Sequence, residues 1–183
     1  MRIIAGKYSS RRLTTLKGDA TRPTLDKVKE AVFSSLGGMF DGGMVLDLYS
    51  GSGAIGLEAI SRGFDQAVLV DMSHAAVSII HKNAEALQCE EQCEILCMRD
   101  FRALEYLKNQ GMVFDLVYLD PPYRKQKNHE VLAYLDAHHM VHQGGRVVIE
   151  SLKEEEYHDA AGALQYDKES IYGIMKITYY RNR

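Results

Sequence analysis

The sequence predicts an α/β protein built on a doubly wound, mostly parallel sheet with a closing antiparallel strand. Three observations lead there. Five apolar runs rich in β-branched residues recur along the chain: "MVLDLY" (44–49), "QAVLVDM" (66–72), "CEILCM" (93–98), "FDLVYLD" (114–120) and "RVVIES" (146–151). Helix-like stretches alternate with them at 54–62, 74–87, 101–109 and 128–139. The chain has 183 residues, 46% hydrophobic and 26% charged, which suits one globular domain with a sizeable core.

Alternation of this kind implies βαβ units, whose right-handed crossovers cover both faces of a parallel sheet. Taken from the N-terminus, "RIIAG" and "RRLTTL" are expected to pair as a hairpin across "KYSS". "TRPTLDKVKEAVFSSLGG" then reads as a helix with Thr24 as N-cap and Val28, Val32, Phe33 and Leu36 on its apolar face. Gly37 and Gly38 end it. "GGMFDGG" (37–43) is linker-like, which divides the chain into a basic hairpin-helix appendage (1–40) and a main domain (41–183). After the fifth strand, "ESLKEEEYHDAAGAL" reads as helical, with "KEEE" at its solvated start. The last twenty residues hold two β-like runs, expected to form a closing pair with 173–180 as the final strand.

Composition excludes several classes. No apolar run approaches the ~20 residues that span a bilayer, and the N-terminal apolar stretch is too short for a signal peptide. A cytoplasmic location, with no membrane partner, is the expectation. Cys89, Cys93 and Cys97 flank or sit in one apparent strand without a fourth ligand, so no metal is expected there. "HHMVH" (138–142) falls at a helix end, where histidines suit the dipole. The eight methionines read as core filler.

Charge is uneven. Residues 1–30 hold eight basic side chains against three acidic ones, which leaves −8 for the rest of a chain of net charge −3. A basic arm on an acidic body predicts that the arm meets a polyanion.

Two motifs carry chemistry. In "VLDLYSGSGAIGLEA" (45–59), Gly51, Gly53 and Gly56 form G-x-G-x-x-G after a strand and before a helix. That loop suits a dinucleotide and equally S-adenosylmethionine. Asp47 lies within the strand, where a carboxylate can reach a cationic amino group and would repel a pyrophosphate. Asp71 ends the second strand, where it can accept from both ribose hydroxyls. Asp100, after the third strand, can accept from an adenine amino group.

The second motif is "DPPY". Its prolines remove two backbone donors and end the strand, projecting Asp120 and a peptide carbonyl. Both are acceptors, suited to an exocyclic amine of a nucleobase, and Tyr123 offers a face on which a base can stack.

The two motifs resemble motifs I and IV of Rossmann-like, class I S-adenosylmethionine-dependent N-methyltransferases. "MRIIAG", "TRPTLDKVKEAVF", "LDLYSGSGAIGLEAISRG" and "DLVYLDPPY" together resemble the RsmD family, in the same order and spacing over essentially the whole chain. The resemblance implies methyl transfer to the N2 amine of a guanine in small-subunit (16S) ribosomal RNA. Its implied partner is ribosomal RNA or the small ribosomal subunit, met by a monomer. It implies a cofactor site of Asp47, Tyr49, Gly51, Ser52, Gly53, Asp71, Met72, Asp100 and Phe101, and a catalytic site of Asp120, Pro121, Pro122 and Tyr123. Arg22, Pro23 and Thr24 belong to the family's N-terminal motif, which the resemblance places near cofactor or RNA; Arg22 and Thr24, with Arg2, Lys7, Arg11 and Arg12, form the expected RNA-binding set.

Rival readings are an adenine-N6 methyltransferase acting on DNA or RNA, a nicotinamide oxidoreductase and a non-enzymatic RNA-binding assembly factor. The oxidoreductase leaves DPPY and the basic arm without a purpose. An inactive factor would more readily have lost Asp120 or the glycines.

Overall fold

The alternating pattern becomes a mixed sheet of seven strands with five α-helices in the computed structural model, which describes residues 1–16, 23–122, 126–157 and 162–183. None of these helices is long and apolar enough to cross a membrane. The chain divides into two units, Met1–Asp100 and Phe101–Arg183.

The first unit holds α1 (Pro23–Leu36), β1 (Met44–Asp47), α2 (Ala54–Ser61), β2 (Gln66–Asp71), α3 (His74–Leu87) and β3 (Cys93–Cys97). β2 lies between β1 and β3 and pairs in parallel with both, with Leu46 opposite Val68 and Leu69 opposite Ile95. Val45, Leu46 and Ala67 through Val70 are all buried, as expected for strands covered on both faces. α2 buries Leu57, Ala59 and Ile60, and α3 buries Ala76, Ile80, Ala84 and Leu87 at i, i+4, i+8 and i+11. Ser73 caps α3 by accepting from the Ala76 N–H at 3.3 Å.

The second unit holds α4 (Asp100–Asn109, entering by one residue), β4 (Phe114–Leu119), α5 (Asn128–Ala137), β5 (Val141–Leu152), β6 (Leu164–Tyr172) and β7 (Met175–Asn182). β4 and β5 are parallel, and β7 runs antiparallel to both β5 and β6. The closing pair is therefore a hairpin, turned at Gly173 with φ +64°.

Several expectations are corrected. Residues 150–157 are not helical. β5 continues to Leu152 because Ser151 and Leu152 pair with Lys176 and Met175, and Lys153 and Glu154 form a turn. Strand pairing outweighs the local helix preference of "KEEE". The N-terminal hairpin forms as expected but is short: Arg2 bridges Arg12 in antiparallel fashion, and the Ile3 and Leu13 N–H groups donate to the Arg11 and Met1 carbonyls. Its ladder is short because the Ile4, Ala5, Lys7 and Tyr8 N–H groups all donate to Glu58 or Ser61 of α2. Thr24 lies inside α1, which starts at Pro23; proline suits a first helical position, and the capping residue falls outside the described residues. Met39 and Met72 are exposed rather than core filler. The linker-like "GGMFDGG" is pinned: Phe40 packs against Phe64 with tilted rings 4.5 Å apart, and the Phe40 and Gly42 N–H groups donate to the Arg62 and Gly63 carbonyls.

The arm packs on α2 through a buried charge cluster. Glu58 is fully buried between Lys29 (3.2 Å) and Arg62 (2.7 Å), and Lys29 also donates to the Arg2 carbonyl at 2.5 Å. Gly6 is required here: its φ is +86°, and a Cβ there would stand 1.8 Å from the Ser61 carbonyl oxygen.

Candidate functional site

The glycine loop joins β1 to α2. Gly51 (φ +54°) and Gly53 (φ +81°) take left-handed conformations that favour glycine. Nothing lies within 4 Å of where a Gly51 Cβ would be, whereas a Gly56 Cβ would come within 2.7 Å of Leu69 Cδ2. The first glycine thus keeps backbone open to a ligand, and the third lets α2 pack closely on β2.

Asp71, at the end of β2, holds this loop. Its Oδ2 accepts from the Gly51 N–H at 3.0 Å and its Oδ1 from the Ser73 N–H at 2.8 Å. Each carboxylate oxygen has two acceptor sites, so ribose hydroxyls can still be received. Tyr49 donates to Asp100 Oδ2 at 3.1 Å, bringing a third strand end to the same loop. Met72 is exposed beside Asp71, Ser52 is buried, and Phe101 packs edge-on against Tyr134 at 5.9 Å.

Asp47 lies beneath the loop. It is buried, and its Oδ2 accepts from the Gly56 N–H at 3.1 Å. Burial, against the opposing Gly56 hydrogen bond and with the help of the nearby Asp71 charge, pushes its carboxyl up to about 7. A carboxylate held near neutrality in this way is poised to ionise when a cation arrives. Open backbone at Gly51, spare acceptor sites on Asp71 and a carboxylate at Asp47 together fit a ribose-bearing cofactor with a cationic end.

In the second unit, β4 delivers "DPPY". Leu119 is buried, Asp120 is exposed at the strand end, Pro121 is buried and Pro122 is exposed. Tyr123 and Arg22 lie outside the described residues, as does the side chain of Thr24. Arg2, Lys7, Arg11 and Arg12 are all exposed, while Lys29 of the same basic segment is buried against Glu58.

Sequence reading missed Asn83. This buried residue of α3 donates from Nδ2 to the Ser52 and Thr14 carbonyls at 2.9 Å and accepts the Thr14 N–H at Oδ1 at 2.8 Å. It clamps the glycine loop and the arm from one side chain. The available signal was an amide at the i+3 position from Ile80, on the apolar face of a helix. Glu58, a lone carboxylate in "AIGLEAIS", gave a similar signal.

A glycine turn between a parallel strand and a helix, acidic residues at successive strand ends and an antiparallel closing hairpin define a Rossmann-like methyltransferase fold. Methyltransferase YhhF of Escherichia coli, a candidate assignment, superimposes with a TM-score of 0.84 at 27% identity, over 100% of this chain and 98% of that one. The chain belongs to the family described as conserved hypothetical protein 95, matched over residues 1–181. A candidate rRNA methyltransferase of Bacillus subtilis, YlbH, is 36% identical over 183 residues, the full length of both chains. Ribosomal RNA small subunit methyltransferase D of Escherichia coli is 27% identical over 181 residues, covering 99% of this chain and 89% of that one.

Proposed function

We propose that this protein transfers a methyl group from S-adenosylmethionine to the exocyclic N2 amine of a guanine in small-subunit ribosomal RNA. The observation that carries the cofactor half is the Asp71 carboxylate, held by the Gly51 and Ser73 N–H groups with acceptor capacity left over. Family membership and the names of its relatives support the RNA half.

S-adenosylmethionine supplies the methyl already activated on a sulfonium. The protein's own part is binding, orientation and charge placement. Asp71 receives the ribose, Asp100 with the Phe101 backbone receives the adenine, and Asp47 with the Gly51–Gly53 turn receives the methionine end. Asp120 and the Pro121 carbonyl accept hydrogen bonds from the two N–H groups of the target amine, which localises the nitrogen lone pair; one of these protons leaves the nitrogen once the N–C bond has formed. The Asp120 carboxylate then stabilises positive charge developing on that nitrogen, while alignment supplies the proximity contribution. Tyr123 holds the ring by stacking, so the base must leave its own stack to enter. Arg2, Lys7, Arg11, Arg12 and Arg22 hold phosphates, with Thr24 beside them.

The deciding experiment maps methylated nucleotides in ribosomal RNA from cells with and without the gene. Loss of one N2-methylguanosine supports the reading. Loss of an N6-methyladenosine instead would assign the adenine alternative. In vitro, Asp120→Ala is expected to lower the single-turnover rate by ~10²-fold or more with cofactor affinity intact. Tyr123→Phe should be mild, and Tyr123→Ala should lose ~1–3 kcal/mol of stacking. Equal damage from both tyrosine changes would rule out the stacking role.

A further inference from the structure

The glycine loop is fastened from α3 by a bond that its own helix does not make. Were α2 to begin one residue earlier, the Ser52 carbonyl would accept the Gly56 N–H. That N–H instead donates to Asp47 Oδ2 at 3.1 Å, and the Ser52 carbonyl accepts from Asn83 Nδ2 at 2.9 Å. Two side chains thus stand in for one helical bond, and the carbonyl between Gly51 and Gly53 is aimed at α3. The helix lies close enough for this: a Cβ on Gly53 would stand 3.3 Å from Ile80 Cγ2, three residues before Asn83.

The same amide holds the arm. Its other Nδ2 hydrogen goes to the Thr14 carbonyl at 2.9 Å, and its Oδ1 accepts the Thr14 N–H at 2.8 Å. Both donor hydrogens of the carboxamide are therefore in use, and so is its oxygen. Asn83 is 2% exposed, so releasing either side leaves buried polar groups unpaired. Three residues further along α3, the Ala86 carbonyl accepts from Arg11, a bond that occupies one of that guanidinium's five donors. Leu13 is buried between these two joints, and Arg12 is exposed beside it. The segment that carries two of the arm's exposed cations thus ends on the side chain that fixes the glycine loop.

Ligands at the two ends meet at this amide. A cofactor seated on the Gly51–Gly53 turn holds the Ser52 carbonyl in place. Phosphates on Arg11 and Arg12 hold the segment that presents Thr14. The Ser52 bond and one of the two Thr14 bonds share a single nitrogen, so a rotation that relaxes one strains the other. Whichever ligand binds first orders the joint, and the second then has less to order. Coupling of this kind is reciprocal: each ligand tightens the other by the same factor.

We propose that Asn83 is a positioning residue that couples the arm to the cofactor loop, so that cofactor and RNA each strengthen the binding of the other. This rests on the reading of the arm as the RNA-binding segment given above, and adds the side chain through which that segment acts on the cofactor site.

The test uses the full chain, small subunits from cells lacking the gene, and S-adenosylhomocysteine, which has no methyl to transfer. Affinity for the small subunit is measured with and without saturating S-adenosylhomocysteine, and the ratio of the two is the readout. The wild-type ratio should be about fivefold or more. In Asn83→Ala it should fall to within about twofold of one. Lys7→Gln, which removes a cation of the arm without touching Asn83, should weaken binding of the small subunit and keep the wild-type ratio. A side chain that only supported packing would lower the melting temperature and both affinities while leaving the ratio unchanged; that result in Asn83→Ala overturns the proposal. Hydrogen exchange on the wild-type protein supplies a second measurement that needs neither RNA nor a variant. S-adenosylhomocysteine should slow exchange of the Thr14 amide, which lies in the arm and is bonded to Asn83. Unchanged exchange there overturns the proposal, and this measurement decides if Asn83→Ala fails to melt cooperatively. Protection of Thr14 in a protein that does not bind small subunits would leave the joint standing and overturn the proposed function, and with it the RNA half of the coupling.

Discussion

Asp47 shows what one buried side chain implies for pH. Its carboxyl is raised to about 7 in the folded protein, well above the ~3.9 of an unfolded chain. The neutral form is thus favoured by folding. Its stabilising contribution is complete below about pH 4 and is lost as pH rises through about 7, a swing on the order of 4 kcal/mol. Denaturant titrations between pH 4 and 8 should show this decline, and Asp47→Asn should flatten it. If Asp47 faces the cationic end of the cofactor, binding should release close to one proton near pH 6. Calorimetry in two buffers of different ionisation enthalpy measures that directly, and the Asp47→Asn variant should release none from this site. Asp71→Ala should cost ~1.5–3 kcal/mol of cofactor affinity for each charge-assisted bond removed; unchanged affinity would remove Asp71 from the site. Asp47, Asp71 and Asp120 were all visible in the sequence because each sits at a fixed offset from a local punctuation mark, a glycine turn or a proline pair. The joints made by Glu58 to the arm, by Asn83 and by Glu150 were not, since the groups that donate to them there lie 54, 69 and 32 residues away. No spacing rule reaches across such intervals.

Among elements, α2 serves at both ends. Its N-terminal turn closes on Asp47 through Gly56, and its last turn receives the arm through Glu58 and Ser61. Two glycine substitutions should therefore differ in cost. In Gly6→Ala the new carbon meets fixed backbone at 1.8 Å and also carries a left-handed φ. Destabilisation on the order of 3 kcal/mol is expected in chemical unfolding. In Gly56→Ala the obstacle is the tip of Leu69, which can move, so ~1–2 kcal/mol is expected. A larger loss in Gly56→Ala than in Gly6→Ala would mean that the arm does not hold α2 as described. The strands and helices of the βαβ portion were legible because their apolar periodicity is contained in each segment. The stretch after β5 was misread because its conformation is set by pairing with β7, more than twenty residues further on. The hairpin of the arm was legible, but its shortness was not: several of its amide donors are taken by a helix the local sequence does not contain.

For the whole molecule, charge is the property most readily measured. Arg2, Lys7, Arg11 and Arg12 are exposed, but Arg11 donates to the Ala86 carbonyl at 2.5 Å and Arg2 lies 3.7 Å from Asp26. RNA affinity should fall steeply with salt, and each of these four changed to Glu should lower the slope by ~0.7–0.9 for every phosphate it no longer neutralises. A salt slope unaltered in the fourfold variant would give the arm some purpose other than binding phosphate. Family membership over residues 1–181 was readable because the arm, the glycine loop and DPPY occur in a fixed order. The buried joints that fasten the arm left no such trace. They nevertheless determine what can be exchanged between relatives. Ile3, Tyr8 and Leu13 are buried, and the arm's amides end on Glu58 and Ser61, with Thr14 ending on Asn83. The first fourteen residues are thus not a cassette. A chimaera that imports another relative's N-terminus should express poorly unless positions 29, 58, 61, 62 and 83 come from the same donor. Grafting those five along with the arm should restore a soluble, cooperatively melting protein.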